Sequence, residues 1–252
     1  GSVSNNYASN AKINVKNSNI KAQDINLKAM SGVGAYPKDA HYTAVSGGVI
    51  AFDYIDVANT LTNTSEINIQ NSILEATHNA ILDVSSGNYF KQKIESGAYG
   101  VASKASGISH LNVTNNNKII VDNKSKVSAR NELEIDFNSA NNLTSRVVSD
   151  VTNFAGEPVA KSYLDLTINN TLENSGTLAS GNLLDINFML GSNNILTQFA
   201  QSVSTAAIAS TTEDGKLTKT INNKIDNKAN AEMTSGKDVD INYTRSEERR
   251  VG

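Results

Sequence analysis

The stretch INVKNSNIKAQDINLKA, residues 13–29, returns as INIQNSILEATHNAILDV from Ile67 and as IIVDNKSKVSARNELEIDF from Ile119. Within it Ile13, Val15, Ile20, Ile25 and Leu27 are apolar in short bursts at i, i+2 spacing. That is the period of a strand and not of a helix. The bursts recur as Ile25/Leu27, Leu82/Val84, Leu133/Ile135/Phe137, Leu184/Ile186/Phe188 and Val239/Ile241/Tyr243, at nearly even steps along the chain. Ala22, Ala76 and Ala129 step by 54 and 53, and an Asp-Ile-Asn triplet starts at Asp24, Asp185 and Asp240. Between these landmarks run small-residue segments that lead into further alternation: SGGVIAFDYIDVANTL from Ser46, SGAYGVASKASGISHLNV from Ser96 and SVSTAAIASTTEDGKLTKTINN from Ser202.

Self-similarity at a fixed period with strand alternation implies stacked units, each burying its apolar face against its neighbours. The expected fold is therefore all-β, a right-handed parallel β-helix with a period of about 54 residues, forming one body over residues 1–244. With strands of four to six residues and Asn, Ser or Gly corners, two to three coils fit each repeat. About 12 coils at about 4.8 Å would give a rod about 58 Å long. Asn tolerates left-handed backbone angles and suits the corners, where stacked copies would form amide ladders. An antiparallel sandwich or barrel would instead carry regular hairpin turns, yet one Asp-Gly (214–215) and no Asn-Gly occurs. Ser192 to Ser210 departs from the pattern, because Ile195, Phe199 and Val203 are four apart and suggest a short helix or strand-poor excursion.

Charged residues are only 19% of the chain, and 35 asparagines help to keep its surface wet without charge. A net charge of -3 with no basic stripe argues against nucleic acid as a partner. There is no cysteine, hence no disulfide framework or thiolate metal site, and no apolar run reaches the roughly 18 residues of a membrane span. Three of five arginines fall in the last eight residues, whereas Lys dominates before them. Residues 245–252, RSEERRVG, are thus expected to be a non-native tail resembling an in-frame adapter translation.

The alternating I-x-V-x-N-S phrases, the Ser-Gly-Gly and Ser-Gly-Ala runs and the Asn-rich segments together resemble the passenger regions of filamentous haemagglutinin-like adhesins. The similarity is strongest to the very large leukotoxin-family filamentous adhesins of fusobacteria and covers most of Ile13 to Thr244. It implies a segment of a secreted, outer-membrane-associated surface protein exported through an outer-membrane partner or autotransporter barrel. The host cell surface or extracellular matrix, glycans included, would be its ligand.

Chemistry-bearing motifs are sparse. His41, His78 and His110 lack the short spacings of a zinc site, and no H-E-x-x-H, P-loop, G-x-G-x-x-G or G-x-S-x-G motif occurs. A β-helix can also be a polysaccharide lyase or hydrolase, which would use clustered carboxylates and a cationic group. Asp53 and Asp56, three apart in a strand, are expected on opposite faces. Asp83, Asp136, Asp185 and Asp240 recur beside the core strands as a ladder or exposed stripe. Arg130 and Arg146 have no nearby carboxylate cluster in sequence. Asn63, Asn112, Asn123, Asn142, Asn169 and Asn242 head Asn-x-Ser/Thr triplets. Tyr36, Tyr42, Tyr54, Tyr89 and Tyr99 are expected to pack at corners rather than offer stacking faces to sugars. No catalytic, cofactor or metal residue is assigned; the expectation is a non-enzymatic stalk and adhesive face, with a carbohydrate-active enzyme as the alternative.

Overall fold

The structure, a computed structural model, describes residues 1–191 and 194–244, with the side chains of residues 35–38 and 244 left undescribed. Residues 192–193, Tyr36's side chain and the tail 245–252 lie outside the described residues. Those described form strands and no helix.

Five layers follow one another along the chain. The first holds β1 (Ser2–Lys16), β2 (Asn19–Ala22) and β3 (Ile25–Gly47), and the second β4 (Ile50–Gln70), β5 (Ile73–Ala76) and the first half of β6 (Asn79–Val121). The rest of β6, β7 (Lys126–Ala129) and the first part of β8 (Glu132–Asn174) make the third. In the fourth lie the remainder of β8, β9 (Thr177–Ser180), β10 (Leu183–Leu190) and β11 (Ile195–Ala209). The last consists of β12 (Thr212–Asn227), β13 (Glu232–Ser235) and β14 (Asp238–Thr244). Neighbouring strands are parallel throughout, and each residue lies beside one 51 to 55 positions further on. The long strands join in a nine-stranded sheet and the short ones in a five-stranded sheet ordered β13-β9-β7-β5-β2. These parallel pairings exclude the antiparallel sandwich.

The register also corrects the expected coil. Two or three short coils in each repeat would pair strands lying within one repeat, and no described strand pair does so. Apart from the five four-residue strands and the shorter β10 and β14, the strands are far longer than four to six residues, because the polar and small residues inside them do not break the chain. Asn63 and Asn115, for example, are wholly buried within β4 and β6. Five layers at about 4.8 Å are about 24 Å deep, while a 21-residue strand reaches about 70 Å. The body is thus broad along its strands and shallow along the stack.

Within a layer the two long strands face each other. Asn59 Nδ2 donates to Gln92 Oε1 at 2.7 Å, Asn63 Nδ2 to Asn88 Oδ1 at 2.7 Å and Ser65 Oγ to the Ser85 carbonyl at 2.6 Å. Inward residues of β4 therefore meet inward residues of β6 across a slab. The short strands close one end of it, where Leu74, Val127 and Leu178 are completely buried. Ala22, Ala76 and Ala129 are lateral partners there. The apolar bursts stack as Ile25–Ala80–Leu133–Leu184–Val239 and Leu27–Leu82–Ile135–Ile186–Ile241. Leu82/Val84 consequently belongs beside Leu27/Ala29, one pair later than the sequence spacing suggested, and Phe137, Phe188 and Tyr243 form a stacked aromatic column.

Away from that end, apolar bands alternate with polar ones. Asn63, Asn88, Asn115 and Asn141 form a buried amide array, with Asn63 Nδ2 to Asn115 Oδ1 at 2.8 Å, Asn88 Nδ2 to Asn141 Oδ1 at 2.7 Å and Asn115 Nδ2 to Asn141 Oδ1 at 3.0 Å. A slip of two positions would keep apolar side chains inside but break this array, so it helps to specify register. Asn115→Ala removes one hydrogen bond from each of the buried amides of Asn63, Asn88 and Asn141 and should cost about 2 kcal/mol or more in urea unfolding. A change below about 0.5 kcal/mol would show that the amides do not depend on one another. Asn ladders also occur at corners: Asn17 and Asn71 sit at φ 51° and 46°, joined by a 2.8 Å bond, and Asn182, Asn131 and Asn79 are linked in series.

The suspected helix at Ser192 to Ser210 is strand from Ile195 to Ala209, as β11. A spacing of four is even, so in a strand it puts Ile195, Phe199 and Val203 on one face. That face points outward, and Phe199 lies 5.2 Å from the Arg146 guanidinium.

Candidate functional site

Chemistry concentrates on the outer surface of β6, β8, β10 and β14. Leu133, Ile135 and Phe137 point inward, so Glu134 and Asp136 between them point out. Lateral pairing sets Asp83 beside Asp136 and Glu134 beside Asp185, which is beside Asp240. The four aspartates expected in one stripe thus occupy two adjacent columns. Glu134, which the sequence reading passed over, sits at their centre. Its signal was its position two residues before Asp136, on the same strand face.

Lys28 Nζ neutralises one corner of the cluster, 2.7 Å from Asp83 Oδ2. Asn187 Nδ2 lies 3.1 Å from Asp136 Oδ1 and 3.0 Å from Asp185 Oδ2, and Asn242 Nδ2 donates to Asp185 Oδ1 at 3.0 Å. Partial burial, then the charge and hydrogen bond of Asp136, then Glu132 and Asp185, push the Glu134 carboxyl up to about 7. Asp136 is also raised, chiefly by burial, although hydrogen bonds from Asn187 and Glu134 oppose the shift. The pair can hold a proton near neutral pH beside an ionised carboxylate.

The folded protein therefore retains at Glu134 a proton that the unfolded chain releases around 4.5. Stability from this source is complete below that pH and is lost as pH rises towards about 7. Glu134→Gln should reduce the fall in melting temperature across this window. Identical pH profiles for the two proteins would place the proton elsewhere.

The remaining sequence candidates are dispersed. His41 and His78 face Glu95 at 2.8 Å and Asp24 at 3.1 Å, while His110 stacks on Tyr163 with ring centroids 4.9 Å apart. No group of three metal-ligating side chains occurs among the described residues. Asp53 accepts from the Gly97 amide at 3.1 Å on the inner face, whereas Asp56 faces outward and accepts from the Tyr54 hydroxyl at 3.2 Å, so the two do lie on opposite faces. Tyr42 packs inward beside Asn5, while Tyr54 and Tyr99 are exposed and Tyr89 lies under the Lys91 ammonium. Corner packing therefore does not describe the set. Asn63 is buried and cannot accept a sugar in the folded state; Arg130 lies at a corner.

At the end opposite the short strands an apolar edge is exposed. Val49, Val101 and Phe154 crest successive turns, with Ile50, Phe52 and Ile208 beside them. An open depression of about 360 Å³ lies here, lined in part by Phe52, Ile208 and the Lys104–Glu157 ion pair, which closes at 2.8 Å.

Compared with known proteins, the chain matches no family model, no curated protein and no solved structure.

Proposed function

We propose that this chain is a scaffold and binding segment of a large secreted bacterial surface adhesin. Its layers are the coils of a right-handed parallel β-helix, with a single coil to each sequence repeat. The carrying observation is that outward groups recur layer after layer: Thr62, Thr114, Thr167 and Thr220 form one lateral column, and Asn116, Asn169 and Asn222 another. A ligand on the host cell surface or matrix, such as a glycan, would meet many similar weak contacts, whose affinity accumulates through multivalency. Export through an outer-membrane partner belongs to the same proposal. Binding to glycan arrays or cells should fall only modestly with Thr114→Ala and strongly when a whole layer is removed. Complete loss from the single substitution would contradict a distributed surface.

The second reading is a carbohydrate-active enzyme, in which the raised Glu134 carboxyl would be the proton donor and a further carboxylate of the cluster, rather than the hydrogen-bonded Asp136, its partner. Glycan depolymerisation by the purified chain, with and without Ca²⁺, decides between them. Turnover that Glu134→Gln lowers by about 10²-fold would establish the enzyme; graded binding without turnover supports the scaffold.

A further inference from the structure

Three side-chain oxygens on the outer face of the second and third layers are buried without a hydrogen-bond partner: Asp83 Oδ1, Ser85 Oγ and Asn138 Oδ1. Asp83 and Ser85 are two apart on β6, and their lateral partners on β8 are Asp136 and Asn138, so all four side chains leave the same face. They mark the corners of a cell of about 4.8 Å by about 6.6 Å. Ser85 is only 8% exposed, so its hydroxyl is as poorly placed to reach solvent as it is to find a protein partner. Buried oxygens left unpaired beside two carboxylates call for a positive charge among them. We propose that Asp83, Asp136 and Ser85 bind a calcium ion, with Asn138 as a fourth ligand. The inference rests on these unpaired oxygens and on neither functional reading above.

Lys28 does not already meet this need. Its Nζ holds Asp83 by the other oxygen, Oδ2, at 2.7 Å, which leaves Oδ1 for a second cation. Asp136 Oδ1 accepts from Asn187 Nδ2 at 3.1 Å, a bond that orients the carboxylate and leaves it lone pairs to spare. The Asn138 amide oxygen lies near Gly191, and the terminal torsion of Asn is soft enough for it to turn towards an ion. The donor set selects the metal. Every ligand is a hard oxygen, without the thiolate or imidazole that favours zinc. Among the described residues no three carboxylate, imidazole or thiolate side chains are grouped around an ion, so neutral oxygens have to complete this set. Ca²⁺ accepts such a mixture and fills the rest of a flexible shell with water, whereas Mg²⁺ demands a near-ideal octahedron that a flat strand face does not supply. With so few protein ligands the affinity belongs with that of extracellular calcium modules, at a Kd of about 10⁻⁴–10⁻³ M.

Calorimetric titration of the purified chain with CaCl₂ alone tests this. One ion should bind in that range, and calcium should raise the melting temperature while an equal concentration of MgCl₂ does much less. No binding heat and no melting shift at calcium concentrations well above that range, or an equal response to magnesium, would overturn the proposal. Ser85→Ala distinguishes a ligand from a packing residue. It removes a buried hydroxyl that has no partner, so the calcium-free protein should melt no lower than the parent, yet calcium affinity should fall by about tenfold or more. Asn138→Ala should weaken calcium binding in the same way. A Ser85→Ala protein that melts lower without calcium, or either variant binding calcium as tightly as the parent, would contradict the site.

Discussion

A chain lacking residues 67–118 should fold, melting cooperatively with the strand spectrum of the parent. Ile67 and Ile119 are lateral partners, so joining Glu66 to Ile119 removes one layer and continues the next in register. Asn63 then occupies the column position of Asn115 and inherits its partner Asn141. In a layered protein each unit contributes its own stability and its contacts with neighbours, so the shortened chain loses one increment. Deleting 67–92 instead joins Glu66 to a residue on the opposite face and puts the following chain out of register with β3 and β8. No cooperative transition should remain. Equal damage from both deletions, read by thermal melting, would contradict the layer length.

Phe137→Ala should cost about 3–5 kcal/mol, the largest single-residue effect expected here. Phe137 is fully buried, and its ring stacks on Phe188 with centroids 5.0 Å apart and planes 13° from parallel. Phe188 in turn stacks on Tyr243 at 5.1 Å. Truncation leaves a cavity in the largest apolar cluster and removes the buried end of a three-ring column. Phe199→Ala removes the same atoms from an exposed position over Arg146 and should cost well under about 1 kcal/mol. Similar losses for the two, measured by urea unfolding, would show that Phe137 is not in the core.

The all-β, parallel character of the chain was legible because period-2 bursts returned at nearly constant intervals. Ala22, Ala76 and Ala129 were even identified as equivalents, and they are lateral partners. Strand length was not legible. Asn, Ser and Gly usually end strands, yet Asn63, Asn88, Asn115 and Asn141 lie within them and satisfy one another across the slab. That satisfaction depends on partners distant in sequence and leaves no local trace. For the same reason the spacing of four in β11 resembled a helix, although every second strand residue faces outward. At the acidic face the aspartates were visible, but not their split into two columns. Asp136 lies beside Asp83 on one side and beside Asn187, not Asp185, on the other, which leaves Glu134 as the neighbour of Asp185. A shift of two positions in the offset between strands moves a side chain one column along, and nothing near Glu134 in sequence announces it.

Disulfide trapping tests the register most directly, since the chain has no cysteine of its own. Thr62 and Thr114 are outward-facing lateral partners on β4 and β6. Adjacent strands lie about 4.8 Å apart, within reach of a disulfide. Thr62→Cys/Thr114→Cys should oxidise to an intramolecular bond in the folded protein. Thr62→Cys/Asp83→Cys, about one short coil apart in sequence but on opposite outer faces of the layer, should keep two free thiols. The reverse result, with the second pair bonded and the first free, would contradict layers long enough to set Thr62 beside Thr114, and with them the surface built on that register.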